Sequence, residues 1–330
     1  MKLSFASPAL AGLAAMALAS CVSTSYTVRR SELPENLDEY LAVRESAVPG
    51  IIGGDQKEII WAGARGAKTP LSLVYIHGWQ GSPRDYEAVL GPVARQLGAN
   101  IFYTRLKGHC VNTEEIVSVT LDDWINDAWE AMEIGSRIGE RVVVAGTSMG
   151  GDLTLWLAAQ KPQGLAGVVL FSCAVQPKDT RSEMLLWPWP FRNLVLRIAS
   201  GRYNSMEFRK DIYPTGNPAL FARMNPPRYR SESTIKLMTV VKLVRQVPLE
   251  TITVPSLWLY SEQDEAVNIP TMKSFYARMG GEGKRMVVVP EAHAHMLAGD
   301  MFQPETTPEV IGDITSFLRE TGIAAGPGGG

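Results

Sequence analysis

The sequence predicts an α/β protein, a mostly parallel sheet flanked by helices, with a helical cap inserted in the second half of the chain. Three observations carry that expectation. From about residue 50, short apolar runs alternate with stretches of helical periodicity, the pattern of a parallel sheet covered on both faces. Between about residues 175 and 250 the alternation stops. The 330 residues, 45% hydrophobic and 20% charged, suffice for the core of one large domain or two small ones, which excludes a chain disordered throughout.

The first segment reads as a leader. Lys2 gives a positive start, residues 5–18 are apolar and rich in Ala and Leu, and Leu18-Ala19-Ser20-Cys21 closes the stretch. Broken by Ser7, Pro8 and Gly12, it falls short of the roughly 18 to 20 apolar residues of a membrane-spanning helix and reads as a secretory signal. The small residues ahead of Cys21 resemble the lipobox of bacterial lipoproteins; an ordinary signal peptide with a cysteine at the cut is the alternative. The resemblance implies that residues 1–20 are removed, that Cys21 is lipidated, and that residues 21–48 are the lipidated cysteine and its tether. Val22 and Ser23 stand where an aspartate retains such proteins in the inner membrane, so the resemblance points to the outer membrane, facing the periplasm.

The core is expected over residues 49–174 and 251–322. Residues 71–76 read as a buried strand, and Ser82-Pro83-Arg84-Asp85 as a helix start with a capping Ser, a Pro at the first helical position and an acid in the first turn. Residues 101–103 form the next strand. Thr120 caps a helix whose Trp124, Ala128, Ala131 and Met132 recur at helical spacing, followed by a valine-rich strand at 141–145. A helix over 149–160 and a strand over 167–171 complete the first half. Strands at 254–260 and 285–289 then alternate with helices ending near Arg319. The cap, residues 175–250 and expected to lack strands, opens on Trp187, Trp189 and Phe191 and places Phe191, Leu194, Val195 and Ile198 on one helical face. Such an insertion would cover the carboxyl edge of the sheet, where open α/β sheets bind ligands. Residues 323–330, which end in Gly-Pro-Gly-Gly-Gly, read as a disordered tail.

Charge and cysteine content narrow the function classes. With 32 Lys plus Arg against 34 Asp plus Glu, a formal charge of −2 and no run of five like charges, the chain offers no basic face to a nucleic acid. Three scattered cysteines, Cys21, Cys110 and Cys173, make no disulfide scaffold or zinc spacing; with Cys21 lipidated, a Cys110–Cys173 disulfide is allowed by compartment and not required.

Gly146-Thr147-Ser148-Met149-Gly150 joins the valine strand to a helix. G-x-S-x-G arises by chance in roughly one in nine chains of this length at ordinary Gly and Ser usage, so the context carries the weight: a strand before and a helix after. The glycines let backbone approach the turn, and the helix start favours an anion beside Ser148. A serine hydroxyl needs an adjacent base oriented by a carboxylate. The last two strands each end in candidates: Glu262, Asp264 and Glu265 after the first, His293 and His295 after the second. The His-x-His pair lacks a third metal ligand at a recognisable spacing, and no cofactor motif accompanies it.

With these residues in place the chain resembles α/β-hydrolases of the monoacylglycerol lipase and carboxylesterase group from about residue 70 to 320. His77-Gly78-Trp79-Gln80-Gly81-Ser82-Pro83 is similar to that group's His-Gly-aromatic loop, and Arg105-Leu106-Lys107-Gly108-His109 to its Arg-Leu-x-Gly-His segment, with Cys110 where a glycine is usual. The resemblance implies the α/β-hydrolase fold and the triad order Ser148, Asp264, His295. Asp264 followed by Val267, and His295 followed by Asp300, match the acid and base turns, leaving Glu262, Glu265 and His293 as the alternatives. It also implies that the backbone N–H groups of Trp79 and Met149 form the oxyanion hole, and that His77 and His109 hold loops rather than transfer protons. The expected reaction is hydrolysis of small or monoacyl lipid-like carboxylic esters through an acyl-enzyme, without cofactor or metal. Amide, peptide or thioester cleavage by the same triad, a non-catalytic envelope lipoprotein with a vestigial triad, and perhydrolysis are the rivals.

Overall fold

The computed structural model describes residues 24–30, 32–186 and 191–324. Nine strands are formed among them: β1 (Glu58–Ile60), β2 (Thr69–Ile76), β3 (Asn100–Tyr103), β4 (Gly139–Thr147), β5 (Leu165–Phe171), β6 (Tyr203–Ser205), β7 (Arg228–Arg230), β8 (Ser256–Tyr260) and β9 (Lys284–Val288). Seven make one sheet in the order β1-β3-β2-β4-β5-β8-β9. Its neighbours run parallel except β1, which lies antiparallel on β3. The helices are α1 (Leu37–Ser46), α2 (Glu87–Leu97), α3 (Leu121–Ile138), α4 (Met149–Ala159), α5 (Arg192–Ser200), α6 (Pro218–Met224), α7 (Ser233–Val244), α8 (Ile269–Arg278) and α9 (Thr307–Glu320).

Alternation along β2 shows how the sheet is covered. Leu71, Leu73 and Tyr75 enter one core with Val89 and Val93 of α2 and Val310 and Phe317 of α9. Val74 and Ile76 enter the other with Trp124 of α3, Trp156 of α4, Val240 of α7 and Met272 of α8. Because successive strand residues face opposite sides, a strand covered on both faces is buried at every position, as 142–147 in β4 are. Thr120 caps α3 as expected, in a capping box with Asp123, and Trp124, Ala128, Ala131 and Met132 are among its buried residues.

Several expectations are corrected. The 82–85 stretch is a turn and α2 begins at Glu87, because the Ser82 and Asp85 side chains bind buried loop groups instead of capping a helix. Residues 24–30 and 32–48 are not a loose tether. Leu37, Leu41 and Glu45, four apart, give α1 a buried face, Asn36 caps it, and Tyr26 meets Trp156 edge-on at 5.4 Å. Glu45 binds Arg105 through both carboxylate oxygens, at 2.8 and 2.9 Å. The chain between β5 and β8 does contain strands: β6 and β7 pair antiparallel with each other. Leu194, Val195 and Ile198 of α5, and Phe191 before it, are exposed. Ile323 and Ala324, expected in the tail, are buried, and the Ile323 side chain occupies the space left by Gly167 on β5; residues 325–330 lie outside the described residues. Cys110 and Cys173 are buried free thiols, not a disulfide. The leader, Cys21, Trp187 and Trp189 lie outside the described residues, and among the described residues no helix is long and apolar enough to cross a membrane.

Candidate active site

Ser148 sits between β4 and α4 with φ 52° and ψ −118°, a left-handed conformation that a non-glycine residue adopts only where its surroundings impose it. Its N–H donates to Phe171 O at 2.8 Å, and its carbonyl accepts from Asp152 and Ala174. The flanking glycines are required by space: a Cβ on Gly146 would collide with the Gly150 carbonyl, and one on Gly150 with the carbonyls of Ile76 and His77. Met149 opens α4, so its N–H belongs to the first turn that has no partner within the helix.

The loops after β8 and β9 bring Asp264 and His295 together. Asp264 is fully buried; its Oδ1 accepts from the N–H groups of Ala266 (2.8 Å) and Val267 (3.0 Å), and its Oδ2 bonds His295 Nδ1 at 2.8 Å. Burial alone would raise the Asp264 carboxyl, but the His295 ring and the two N–H donors hold it below the usual carboxylate range. Burial alone would lower His295, and the carboxylate lifts it above the usual histidine value. Two of the three rival residues make other contacts. Glu262 pairs with Lys273 at 2.7 Å on the surface, and His293 is exposed, its N–H donating to Gln303. Ser148 Oγ makes no hydrogen bond among the described residues, a common state of a resting site whose contacts tighten when substrate arrives.

The loop after β2 lies directly against the serine: a Cβ on Gly78 would be 3.2 Å from Ser148 Cβ. Gly81 N donates to Gly78 O at 3.1 Å, closing a turn with Trp79 and Gln80 at its centre. His77 is fully buried beneath it. Its Nε2 accepts from Leu106 N (3.0 Å), so Nδ1 carries the proton and donates to Gly78 O (2.8 Å). Burial pushes His77 well below the usual histidine range, and His109, packed on it edge-on at 4.9 Å, down to about 4. Both stay neutral and hold loops, as the resemblance implied.

Two sets of contacts were not legible in the sequence. The base turn is held by Tyr86, whose hydroxyl accepts from Leu297 N, and by Gln303, which bonds both Met296 O and His293 N. The ring of Trp79 meets Tyr229 of β7 edge-on at 5.1 Å, bringing the inserted segment onto the loop beside the serine. The Tyr86–Leu297 and Trp79–Tyr229 pairs are far apart in sequence, and none of these contacts has a motif to announce it. Among the described residues, no group of three or more His, Cys, Asp or Glu is arranged to hold a metal ion. A separate cleft of about 510 Å³ near α1 and α3 has charged walls whose Lys57, Arg105 and Lys107 are already paired with Asp127, Glu45 and Asp123.

Comparison with known proteins matches residues 68–301 to the family described as "Serine aminopeptidase, S33". A thermostable monoacylglycerol lipase of Bacillus sp. strain H-257 is 24% identical over 237 residues, 71% of this chain and 86% of its own. A pyrethroid hydrolase of Sphingobium wenxiniae is 22% identical over 276 residues, 78% of this chain and 94% of its own. Among solved structures, a metagenome-derived lipolytic enzyme superposes with a TM-score of 0.63 at 19% identity, covering 83% of this chain and 99% of that one. The fold is that of the α/β-hydrolases, with lipases and esterases among its structural neighbours.

Proposed function

Because the chain belongs to the serine aminopeptidase S33 family of α/β-hydrolases, we propose that this lipase- and esterase-like protein hydrolyses small or monoacyl carboxylic esters through Ser148, His295 and Asp264. The observation that carries the reading is the 2.8 Å bond between the buried Asp264 and His295 Nδ1, in a chain whose strained serine turn is built from the same sheet edge. With Nδ1 held by the carboxylate, Nε2 is the nitrogen left to take the Ser148 proton as Oγ attacks the ester carbonyl. The tetrahedral oxyanion rests on the N–H groups of Met149 and Trp79 and on the positive end of α4. His295 then protonates the leaving alcohol, an acyl-enzyme remains on Ser148, and a water activated by the same nitrogen releases the acid. Asp264 stays ionised and stabilises the imidazolium. Residues 175–250, with Tyr229 on Trp79, act as the cap that encloses the substrate.

Lipidation of Cys21 and attachment to the outer membrane, facing the periplasm, belong to the same proposal and rest on the residues ahead of Cys21. Palmitate incorporation that disappears in Cys21→Ala is the expected sign; a mature N-terminus at another residue contradicts it. The family description favours amide cleavage as the second reading. Turnover of short nitrophenyl esters, aminoacyl anilides and acyl-CoA by the protein and by Ser148→Ala separates the two. Serine-dependent turnover of the esters well above the others is expected, whereas preference for the anilides reverses the assignment.

A further inference from the structure

The turn that carries Trp79 is held by side chains from three segments that take no part in the chemistry proposed above. Ser82, just past the turn, donates its N–H to Asp85 Oδ2 at 3.0 Å and its hydroxyl to Asp55 Oδ1 at 2.7 Å. The same Oγ accepts from Arg84 N at 3.0 Å. Cys110, arriving from the loop beyond β3, donates its thiol to Gly81 O at 3.5 Å. Gly81 is enclosed by this set: a Cβ there would lie 2.5 Å from Asp85 Oδ2 and 3.0 Å from Gly78 O. Asp55 and Ser82 are fully buried, and Asp85 and Cys110 nearly so.

Two neighbouring carboxyls this deep, without a directly bonded cation, are an expensive way to fill space. What they do that apolar side chains cannot is accept the N–H and O–H of Ser82 and so fix the direction of the backbone leaving the turn. Cys110 fits the same pattern. It stands where the resembling group has a glycine, it holds the left-handed φ of 57° such a position needs, and its thiol reaches the carbonyl of the turn, which a glycine could not.

We propose that Asp55, Asp85 and Cys110 are positioning residues for the oxyanion hole, holding the Trp79 N–H in place through Ser82 and Gly81. The inference rests on the esterase reading above. The groups that face Asp85 are Asp55, Tyr75, Tyr86 and Cys110, while Arg84 and Arg105 act on Asp55. Burial, opposed by the Ser82 N–H and reinforced by Asp55, pushes Asp85 up to about 7, and burial raises Asp55. Asp85 therefore loses its proton near neutral pH, and above about pH 7 an anion forms there, beside Asp55 and beside the turn on which the oxyanion rests.

The test is nitrophenyl-ester kinetics and inhibition by phenylboronic acid, a tetrahedral analogue, in the wild type and in Asp85→Ala, Asp85→Asn and Cys110→Ala, with Ser148→Ala as the blank. Asp85→Ala is expected to lower kcat by about 10- to 100-fold at nearly constant KM and to weaken the boronate by a similar factor, the scale of a displaced oxyanion donor. Asp85→Asn keeps an acceptor for Ser82 N–H; it restores kcat to within about threefold, and the fall of kcat above about pH 7 expected of the wild type is absent, because no proton leaves. Cys110→Ala, the mildest change, lowers kcat severalfold. Should Asp85→Ala fail to fold, the other two variants decide: unchanged kcat and boronate affinity in Cys110→Ala, with the alkaline fall retained in Asp85→Asn, overturns the inference. A wild type that turns over no ester and binds no boronate overturns the esterase reading and this inference with it, whereas Ser148-dependent turnover indifferent to all three variants overturns the positioning role alone.

Discussion

Ser148 and His295 test the account residue by residue. Each replaced by Ala should lower kcat by several orders of magnitude, and the double variant should be scarcely worse than either single one, because the groups act as a unit. His293→Ala should leave kcat nearly unchanged, in keeping with its exposed side chain; a larger loss there than at His295 reverses the base assignment. The pH dependence follows from the Asp264 contact. His295 acts as a base only when neutral, and the carboxylate lifts its proton affinity above the ordinary value of 6.5, so kcat/KM should rise along an acid limb centred above pH 6.5. In Asp264→Asn that limb should move to lower pH as the overall rate falls, measured from rate profiles between pH 5 and 9. These residues were legible because a turn motif and two loop ends announce them. Tyr86, Gln303 and Asp55 were not, since a hydroxyl, an amide or a carboxylate that braces a loop has no spacing rule and is recognised only by what it touches.

Among the elements, those with a strong period were legible: the valine-rich β4, the capped α3 and α4 all appear close to where the sequence places them. The misreadings have physical causes. Tyr203-Asn204-Ser205 and Arg228-Tyr229-Arg230 are three-residue strands held to each other across more than twenty residues of chain, too short for alternation to show. Helix α1 is not legible because its buried face includes Glu45, a charged residue made tolerable inside by Arg105, far along the chain, and by the Lys57 N–H. A similar long-range arrangement holds β7 to the core. Arg230, nearly buried, bonds Glu232 at 2.9 Å and also pairs with Glu114, while Tyr203 donates to Glu114 at 2.6 Å. Arg230→Ala leaves the buried Glu232 with Arg197 as its remaining cation, 2.6 Å away, so it should cost about 2 kcal/mol of unfolding free energy, read from urea denaturation. It should also raise KM for esters more than it lowers kcat, because it frees Tyr229 from Trp79 without touching the serine. A loss confined to stability, with KM unchanged, argues against contact between this segment and substrate.

At the scale of the whole molecule, a parallel sheet directs the ends of β4, β8 and β9 to one edge, so three segments well separated in sequence carry a serine, a carboxylate and an imidazole at that edge. The sequence carried the alternation that builds the sheet and the motifs at its edge; it did not carry how residues 24–30 and 32–48 and Ile323 pack onto the body, because each depends on a space shaped by distant residues. The central claim is that Ser148 is an activated nucleophile, and labelling with a fluorophosphonate probe followed by peptide mass spectrometry measures it most directly. The account predicts a single phosphonylated site at Ser148, lost in Ser148→Ala and slowed strongly in His295→Ala. A folded protein that leaves the probe unreacted, or labels at another residue while Ser148 stays free, contradicts it.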